Sequence, residues 1–227
     1  VKFILVGDFN QYGPICDRWV GQIVIKSLED SKLLHTMADG NIQILTENKR
    51  SDSKLFDFCQ RICPGGDLHD RPINEIVLQA AEIFPLKPGL PDHSFVIAHV
   101  RRKKINDFHN QKSKIGNIIL MAPKTKQANQ PQNFTIYPGQ LLQGCLDSKQ
   151  GLLMNGCFYK VIEADYKTVK LQNVHMENFI VNTQIAVKSL RMTHGLTYAS
   201  IEGLTLKGRI RLCDTRHPKF DWRKLYV

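Results

Sequence analysis

The sequence predicts an α/β protein in which a mainly parallel sheet carries helices and a small β-barrel is inserted into it. Continuous apolar runs end abruptly at polar residues or glycine, as buried parallel strands do; these are residues 1–6, 42–45 and 94–99. Helix-type segments alternate with those runs, which is typical of a parallel sheet. From about residue 117 the pattern changes to short β-type runs separated by turns, and it changes back beyond residue 190.

Two helices are predicted in the first part of the chain. One is expected around residues 21–34, after the first apolar run. The second is expected over residues 53–63, with Ser51 or Ser53 as its N-cap. Pro-Gly-Gly at 64–66 should stop this second helix, because proline and glycine do not continue a helix well.

The later elements follow a Pro/Gly-rich loop at residues 85–91. Strand 94–99 precedes a basic, helix-type segment over 101–109. The inserted barrel is expected from short β-type runs separated by Pro-Gly, Asn-Gly and Asp-Tyr turns, at residues 140–146, 156–164, 168–171 and 179–187. Beyond it come a loop, a helix-like stretch and a last strand at 209–212, so the α/β pattern resumes.

The composition indicates an intracellular protein with no membrane partner. Of the 227 residues, 42% are hydrophobic, which is usual for a globular protein. No apolar run approaches the roughly 18 residues that a membrane span needs, and the N-terminal residues do not resemble a secretory signal. The six cysteines show no framework spacing and are therefore expected to be reduced thiols.

The charge favours a polyanionic partner such as nucleic acid. Lys and Arg number 31 against 21 Asp and Glu, which gives a net charge of +10. The alternative is that the charge serves solubility alone. Nucleic acid is the favoured interpretation because basic residues cluster at 101–104, at Lys124 and Lys126, and at Arg209 and Arg211.

A metal site is not predicted. Cys59, Cys63 and His69 form the one grouping that resembles metal ligands, but a second ligand pair is missing. Two buried cysteines one helical turn apart explain the spacing better.

Two strand ends carry side chains suited to phosphate chemistry. Gln11 follows the first apolar run in the segment Gly-Asp-Phe-Asn-Gln (7–11), where an amide can orient a water or bond a phosphate oxygen. The alternative is a turn capped by Asp8. Arg50 follows the apolar run 42–45 and could reach a γ-phosphate as an arginine finger, or be a surface arginine.

The order of these segments resembles that of superfamily 1 DNA helicases, in the RecD/Pif-like group that moves 5′ to 3′ on single-stranded DNA. Segment 7–11 looks like motif III and 45–50 like motif IV. The further resembling segments are 95–102 with Ile105-Asn106, the Leu-Leu-Met-Asn-Gly hairpin 152–156 of an SH3-like subdomain, motif V at 197–206, and the first residues of motif VI at 224–227. Order and spacing therefore agree over nearly the whole chain.

The resemblance implies a RecA-like, P-loop NTPase-type domain with an inserted SH3-like barrel. Residues 1–24 would end a first RecA-like domain. Residues 25–120 and 189–227 would form the second, and the barrel would occupy 121–188. The implied catalytic residues are Gln11 and Arg50. The implied nucleotide contacts are Gly7, Asp8, Gln11, Arg50, Glu202 and Gly203, and the implied DNA contacts are His99, Arg102, Asn106, Thr197, Ser200 and Thr205.

The sequence departs from the family pattern in two places. Ala199, Ser200 and Glu202 stand where motif V usually has His, Lys and Gln, which removes expected strand or phosphate contacts. No Gly-x-x-x-x-Gly-Lys-Ser/Thr segment occurs, so there is no P-loop to hold phosphates. The chain is therefore expected to be the C-terminal part of an ATP-dependent helicase and to lack ATPase activity alone. ATP and Mg²⁺ would be bound mostly by a missing N-terminal RecA-like domain.

The expected partners are single-stranded DNA or a DNA fork, together with that N-terminal domain. Bases would stack on an aromatic side chain. The candidates are Phe108, Phe134, Tyr198 and Trp222, although aromatics at such positions more often belong to a core. Two rivals remain, a nucleic-acid-binding module without turnover and an interaction scaffold descended from a helicase. Only the scaffold predicts no salt-dependent binding to single strands.

Overall fold

The computed structural model describes residues 18–19, 22–23, 32–41, 43, 47, 49, 51–113, 118–121, 132–147, 151–202 and 204–226. The predictions for the strand 1–6, the segment 7–11 and Arg50 lie outside these residues. The chain divides into two compact units. The first comprises residues 1–85, 202–205 and 218–227, and the second comprises 86–201 and 206–217. The domain boundaries implied by the resemblance stay a prediction.

The first unit is mainly helical in the part that the structure describes. A two-residue antiparallel pair, β1 (Arg18–Trp19) and β2 (Gln22–Ile23), precedes α1 (Lys32–Met37). The predicted helix over 21–34 is therefore wrong at its start, because residues 22–23 pair as a strand. The β-branched run Ile-Val-Ile at 23–25 favours that extended pairing over a helix.

Helix α2 (Ser53–Ile62) lies within one residue of its predicted bounds. Its N-cap is Asp52 rather than Ser51 or Ser53: the Asp52 side chain accepts a 2.8 Å hydrogen bond from the Leu55 amide. The helix ends before the Pro-Gly-Gly segment. There Gly66 lies so close to the preceding turn that a Cβ would stand 2.3 Å from the Arg61 carbonyl oxygen. A glycine is thus required for this chain reversal.

Two further helices complete the described part of the first unit: α3 (Ile73–Ile83) and a four-residue helix, Arg223–Tyr226. Cys59 on α2 and Cys63 at its C-cap are both buried, and burial raises the pKa of the Cys59 thiol to about 11. His69 Nδ1 lies 3.0 Å from the Ile62 carbonyl oxygen, and its ring contacts Trp222 edge to face. The interpretation of Cys59 and Cys63 as buried thiols is confirmed by their burial.

The second unit contains the parallel sheet. Its elements begin with β3 (His93–Val96), α4 (His99–Ser113), β4 (Ile118–Leu120), β5 (Phe134–Ile136), β6 (Leu141–Gly144), β7 (Phe158–Ala164), β8 (Thr168–Gln172) and β9 (Asn178–Asn182). They continue with α5 (Thr183–Ser189), β10 (Leu190–Met192), β11 (Gly195–Thr197) and β12 (Ile210–Leu212).

Strand β3 lies between β11 and β12, and both neighbours run parallel to it. All four residues of β3 are buried, as expected for the central strand of a parallel sheet. Helix α4 follows β3 and contacts both β3 and β11. The α/β class and the elements at 94–99, 101–109 and 209–212 are thus confirmed, with shifts of up to four residues at their bounds.

The chain leaves the parallel sheet after α4 and returns to it at β11. Between them lies a five-stranded antiparallel sheet in the order β10-β6-β7-β8-β9, together with the β4–β5 pair. One hydrophobic core joins them, with Phe134, Leu142, Val161, Leu171 and Leu190 at its centre. Within the residues that the structure describes, this ladder ends at β10 and β9 without closing, so the SH3-like barrel stays a prediction.

The predicted strand over 179–187 is wrong in its second half. The strand ends at Asn182, and α5 begins at the next residue. Asn182 has extended backbone angles, and its side chain accepts a 2.8 Å hydrogen bond from the Gln184 amide. This N-cap satisfies an amide that the first helical turn leaves without a partner, and Ala186 and Val187 pack into the core.

Replacing Asn182 by alanine should lower the free energy of unfolding by about 1 kcal/mol, because the cap to Gln184 is lost. Urea denaturation of both proteins measures the difference. Gln184→Ala is the control, since the Gln184 side chain is exposed and the cap uses only its backbone amide. Equal stability of Asn182→Ala and this control would contradict the assigned cap.

No helix in the described ranges is long and apolar enough to cross a membrane.

Candidate nucleic-acid interface

Three strand ends meet at one edge of the parallel sheet. Thr197 pairs with Val96, and Leu212 pairs with Phe95, so β3, β11 and β12 end at nearly the same level. The connections that follow them, 97–98, 198–201 and 213–217, therefore begin side by side. In α/β proteins, ligands bind at this carboxyl edge of the sheet.

The Asp214 side chain joins the connection after β12 to the connection after β3. Its Oδ2 accepts a 2.9 Å hydrogen bond from the Ile97 amide, and its Oδ1 accepts a hydrogen bond from Arg101 Nη1. Its backbone has φ +61°, a left-handed conformation that aspartate and asparagine adopt more readily than most residues. The Asp214 side chain is only 11% exposed, so the residue after β12 is tied to the start of α4.

Tyr198 holds the third connection in place. Its hydroxyl donates a 2.8 Å hydrogen bond to the Cys213 carbonyl oxygen, and its ring contacts Phe95 edge to face. The tyrosine is almost fully buried. The connections after β11 and β12 are thereby fixed to each other and to the central strand.

A shallow cleft of about 390 Å³ lies at this edge. Its lining residues are Ala98, Val100, Arg101, Lys104, Asp214 and His217. Two cationic side chains and an imidazole thus surround one carboxylate. Such a surface can bind an anion through Lys104 and the free edge of the Arg101 guanidinium, because an arginine has five N–H donors and Asp214 occupies only part of them.

The predicted DNA contact His99 lies on the first turn of α4 and is partly buried. Its Nδ1 is buried and has no hydrogen-bond partner among the described residues. Burial lowers the pKa of His99, and the positive charges of Arg102, Arg191 and Lys103 lower it further. The imidazole is therefore held in its neutral form at neutral pH.

Arg102, another predicted DNA contact, points into the protein and is fully buried. Burial, followed by the charge of Arg191, lowers the pKa of Arg102 to about 10, so the guanidinium stays charged at pH 7. Arg191 is buried too, and its Nε and Nη2 donate to Gln143 Oε1 at 3.0 and 2.9 Å. Gln143 Nε2 donates to the Ser200 carbonyl oxygen at 3.1 Å. A buried polar network thus supports the connection after β11.

Asn106 is the third predicted DNA contact on α4, and its carboxamide is also buried. Its Oδ1 accepts a 2.7 Å hydrogen bond from the Gly195 amide. Its Nδ2 donates to the carbonyl oxygens of Met192 and Gly195, at 3.3 and 3.2 Å. In the described conformation Asn106 therefore fixes α4 to the β10–β11 connection.

The predicted DNA contacts that carry a hydroxyl group do not all belong to the same unit. Thr197 is buried, and Ser200 Oγ donates a 2.8 Å hydrogen bond to the Thr197 carbonyl oxygen. Thr205 is exposed and belongs to the first unit, as does Glu202, which is partly exposed. The remaining predicted nucleotide and catalytic residues, Gly7, Asp8, Gln11, Arg50 and Gly203, lie outside the described residues.

The four candidate stacking residues have different surroundings. Phe134 and Tyr198 are buried, which confirms the core alternative for these two. Phe108 is 46% exposed on α4, with Lys112 Nζ 4.7 Å from its ring centroid. Trp222 belongs to the first unit, where the Arg223 guanidinium lies 4.6 Å from its ring centroid.

None of the six residues that line the cleft is assigned to a site by the sequence analysis. Arg101 and Lys104 belong there only to a basic cluster, and Asp214 and His217 are not singled out. Asp214 did carry a usable signal, because it follows the predicted strand 209–212 as Gln11 follows the predicted strand 1–6. The rule that strand ends carry ligand-binding side chains applies equally to both.

No protein-family model and no curated protein matches this sequence. Solved structures do resemble it. A Bacteroides Pif1 helicase in complex with ADP-AlF3 and single-stranded DNA matches 91% of this chain with 54% of its own, at 11% identity and a TM-score of 0.51. Two further Pif1 structures have TM-scores of 0.47. One describes two coordinating Pif1 helicases at forked double-stranded DNA and has 11% identity, over 74% of this chain and 42% of the other. The other, Bacteroides Pif1 bound to single-stranded DNA, has 12% identity, over 74% and 44%.

This chain thus spans about half the length of the solved Pif1 helicases that it resembles. At such low identity the likeness concerns the fold. The mixed α/β fold of this chain is similar to that of a Pif1 helicase.

Proposed function

We propose that this chain is the nucleic-acid-binding part of a DNA helicase motor and that it binds single-stranded DNA along the carboxyl edge of its parallel sheet. The observation that carries the proposal is the cleft at that edge, where Arg101, Lys104 and His217 face solvent. A groove lined by cationic side chains binds a nucleic-acid backbone without sequence preference. The net charge of +10 and the resemblance in fold to a Pif1 helicase support the same function.

The finer parts of the proposal rest on the motif resemblance. The chain would be the C-terminal portion of a RecD/Pif-like helicase, with an SH3-like subdomain between β4 and β10. DNA would pass His99, Thr197 and Ser200 at the sheet edge, while the buried Arg102 and Asn106 would act through the elements that they hold in place. Thr205, which belongs to the first unit, stays a separate predicted DNA contact.

ATP and Mg²⁺ belong to the proposal through the same resemblance. Gln11 would orient the attacking water, and Arg50 would act as the arginine finger, with Gly7, Asp8, Glu202 and Gly203 near the nucleotide. Of these six residues only Glu202 is described. The sequence contains no P-loop, so a partner RecA-like domain would have to supply the phosphate-binding loop and turnover is proposed only for that assembly.

An interaction scaffold is the second candidate function. It is supported by the altered motif V, in which Ala199, Ser200 and Glu202 replace the residues usual in the family. The two candidates differ in one measurable property. DNA binding through phosphates weakens steeply as salt rises, whereas a scaffold binds no single strand.

Lys104→Gln should weaken binding to single-stranded DNA about threefold at low salt. It should also flatten the plot of log K against log salt by about 0.7, the change for one phosphate contact to a single strand. Fluorescence anisotropy of a labelled oligothymidylate over a salt series measures both quantities.

Lys160→Gln is the matched control for this experiment. Lys160 is exposed on β7, and it does not line the cleft. Its replacement removes the same charge and should leave the salt plot unchanged. Absence of salt-dependent binding by the unaltered protein would refute the proposed function, and equal effects of the two variants would place the DNA elsewhere.

A further inference from the structure

Among the residues that the structure describes, the Asp214 carboxylate is the one acidic group that lines the cleft. It lies on the connection after β12 and accepts hydrogen bonds from both the Ile97 amide and Arg101. Neither bond is local in the sequence, since Asp214 is 117 residues from Ile97 and 113 from Arg101. These bonds therefore depend on the tertiary fold, because Asp214 is not a sequence neighbour of either partner.

The two partners of this ion pair have different exposure. The Arg101 side chain is 53% exposed, and the Asp214 side chain is 11% exposed. Arg101 is thus accessible to a phosphate from the solvent side, while Asp214 holds it from the protein side. A phosphate that approaches Arg101 meets a cation whose charge is already largely balanced, and it is repelled by the carboxylate behind it.

The Ile97 bond separates the structural role of Asp214 from its electrostatic one. The Ile97 amide needs only an acceptor at this position, and asparagine provides one through its side-chain oxygen. Asparagine also tolerates the left-handed backbone at φ +61°. Asp214→Asn therefore removes the negative charge and keeps both local requirements.

We propose that Asp214 is a positioning residue that limits the affinity of the cleft for single-stranded DNA by holding Arg101 in an ion pair. This inference rests on the proposed function. A backbone phosphate binds Arg101 fully only by displacing the Asp214 carboxylate from the guanidinium. The ion pair thus lowers the affinity of the cleft for single-stranded DNA, so that the bound strand dissociates more readily.

Asp214→Asn should bind labelled oligothymidylate about fivefold more tightly than the unaltered protein at low salt. Its plot of log K against log salt should be steeper by about 0.7, as expected for one additional phosphate contact. A purely structural role for Asp214 predicts the reverse, weaker binding with no added salt dependence.

Two controls assign the effect to Arg101. Glu163→Gln raises the net charge by the same amount at an exposed position on β7, and it should leave the affinity nearly unchanged. In an Arg101→Gln background, Asp214→Asn should give no further gain, because the cation that it releases is absent. A gain that persists in that background would overturn the inference.

The two proposals fail in different ways. If the unaltered protein shows no salt-dependent binding, the proposed function fails. If it binds and Asp214→Asn behaves like Glu163→Gln, the inference about Asp214 fails alone. Should Asp214→Asn prove unfolded, the Arg101 Nε–H NMR signal of the unaltered protein decides. That signal should shift on saturation with oligothymidylate, and an unchanged signal would overturn the inference.

Discussion

Replacing Asn106 by aspartate should lower the free energy of unfolding by about 3–4 kcal/mol at pH 7. The Asn106 carboxamide is fully buried and uses both ends, accepting from the Gly195 amide and donating to the carbonyl oxygens of Met192 and Gly195. Aspartate is nearly the same shape and keeps the acceptor. It would, however, place a buried carboxylate against two carbonyl oxygens that have lost their donor.

Asn110→Asp is a matched control on the same helix. Asn110 is partly buried, and its Oδ1 accepts a 3.0 Å hydrogen bond from the Thr135 amide. The substitution keeps that bond and should cost less than about 1 kcal/mol. Urea denaturation followed by circular dichroism compares the two variants, and equal losses would show that the Asn106 network does not hold α4 to the β10–β11 connection.

A stability effect of this size would bear on the role of Asn106 in the proposed interface. The motif resemblance makes Asn106 a DNA contact, whereas its described hydrogen bonds lie inside the second unit. Gly195 itself leaves no room for a side chain, since a Cβ there would stand 2.8 Å from the Arg102 carbonyl oxygen. Helix α4 and the strand β11 that carries Thr197 are therefore fixed together at close range.

The fold was predictable where the local sequence pattern of an element identifies it as a helix or a strand. The apolar run at 94–99 and the basic segment after it predicted β3 and α4, because a buried strand and a following helix have different periodicities. Helix α5 was missed because residues 179–187 contain Ile180, Val181, Ile185 and Val187, which favour a strand. The Asn182 cap ends the strand instead, and only its side-chain bond to Gln184 reveals this.

The candidate site was less predictable, because its pairings join distant parts of the chain. The basic cluster at 101–104 favours nucleic-acid binding by α4, but the sequence does not show that Arg102 is buried while Lys104 is exposed. That division follows from which face of α4 packs on the sheet. Asp214 becomes part of the site only through its contacts with Ile97 and Arg101, more than a hundred residues away.

A stacked histidine pair gives the second unit a further expected property, loss of stability in mild acid. His109 on α4 stacks on His194, which precedes β11, with ring centroids 4.3 Å apart and an interplanar angle of 11°. Burial lowers the pKa of His109 to about 4, and the charges of His194, Lys112 and Arg211 contribute in that order. The pKa of His194 is lowered too, mainly by burial and also by His93.

The direction of the effect follows from proton uptake. The unfolded chain protonates His109 near its usual pKa of 6.5, and the folded chain only near 4. The unfolded state therefore binds more protons in this interval, and the free energy of unfolding falls as the pH is lowered from about 6.5 to 4. A shift of this size corresponds to at most roughly 3 kcal/mol, present above pH 6.5 and lost by pH 4.

His109→Phe should remove this part of the pH dependence, because phenylalanine can stack on His194 but cannot take up a proton. Urea denaturation at pH 7.5 and 4.5 would show a smaller loss of stability in the variant than in the unaltered protein. Groups such as Asp92, whose backbone carbonyl lies 3.3 Å from His194 Nδ1, titrate in both proteins and cancel in the comparison. His175→Phe, at an exposed position between β8 and β9, should retain the full loss. Equal pH dependence of His109→Phe and the unaltered protein would mean that His109 takes up its proton equally readily in the folded and unfolded chain.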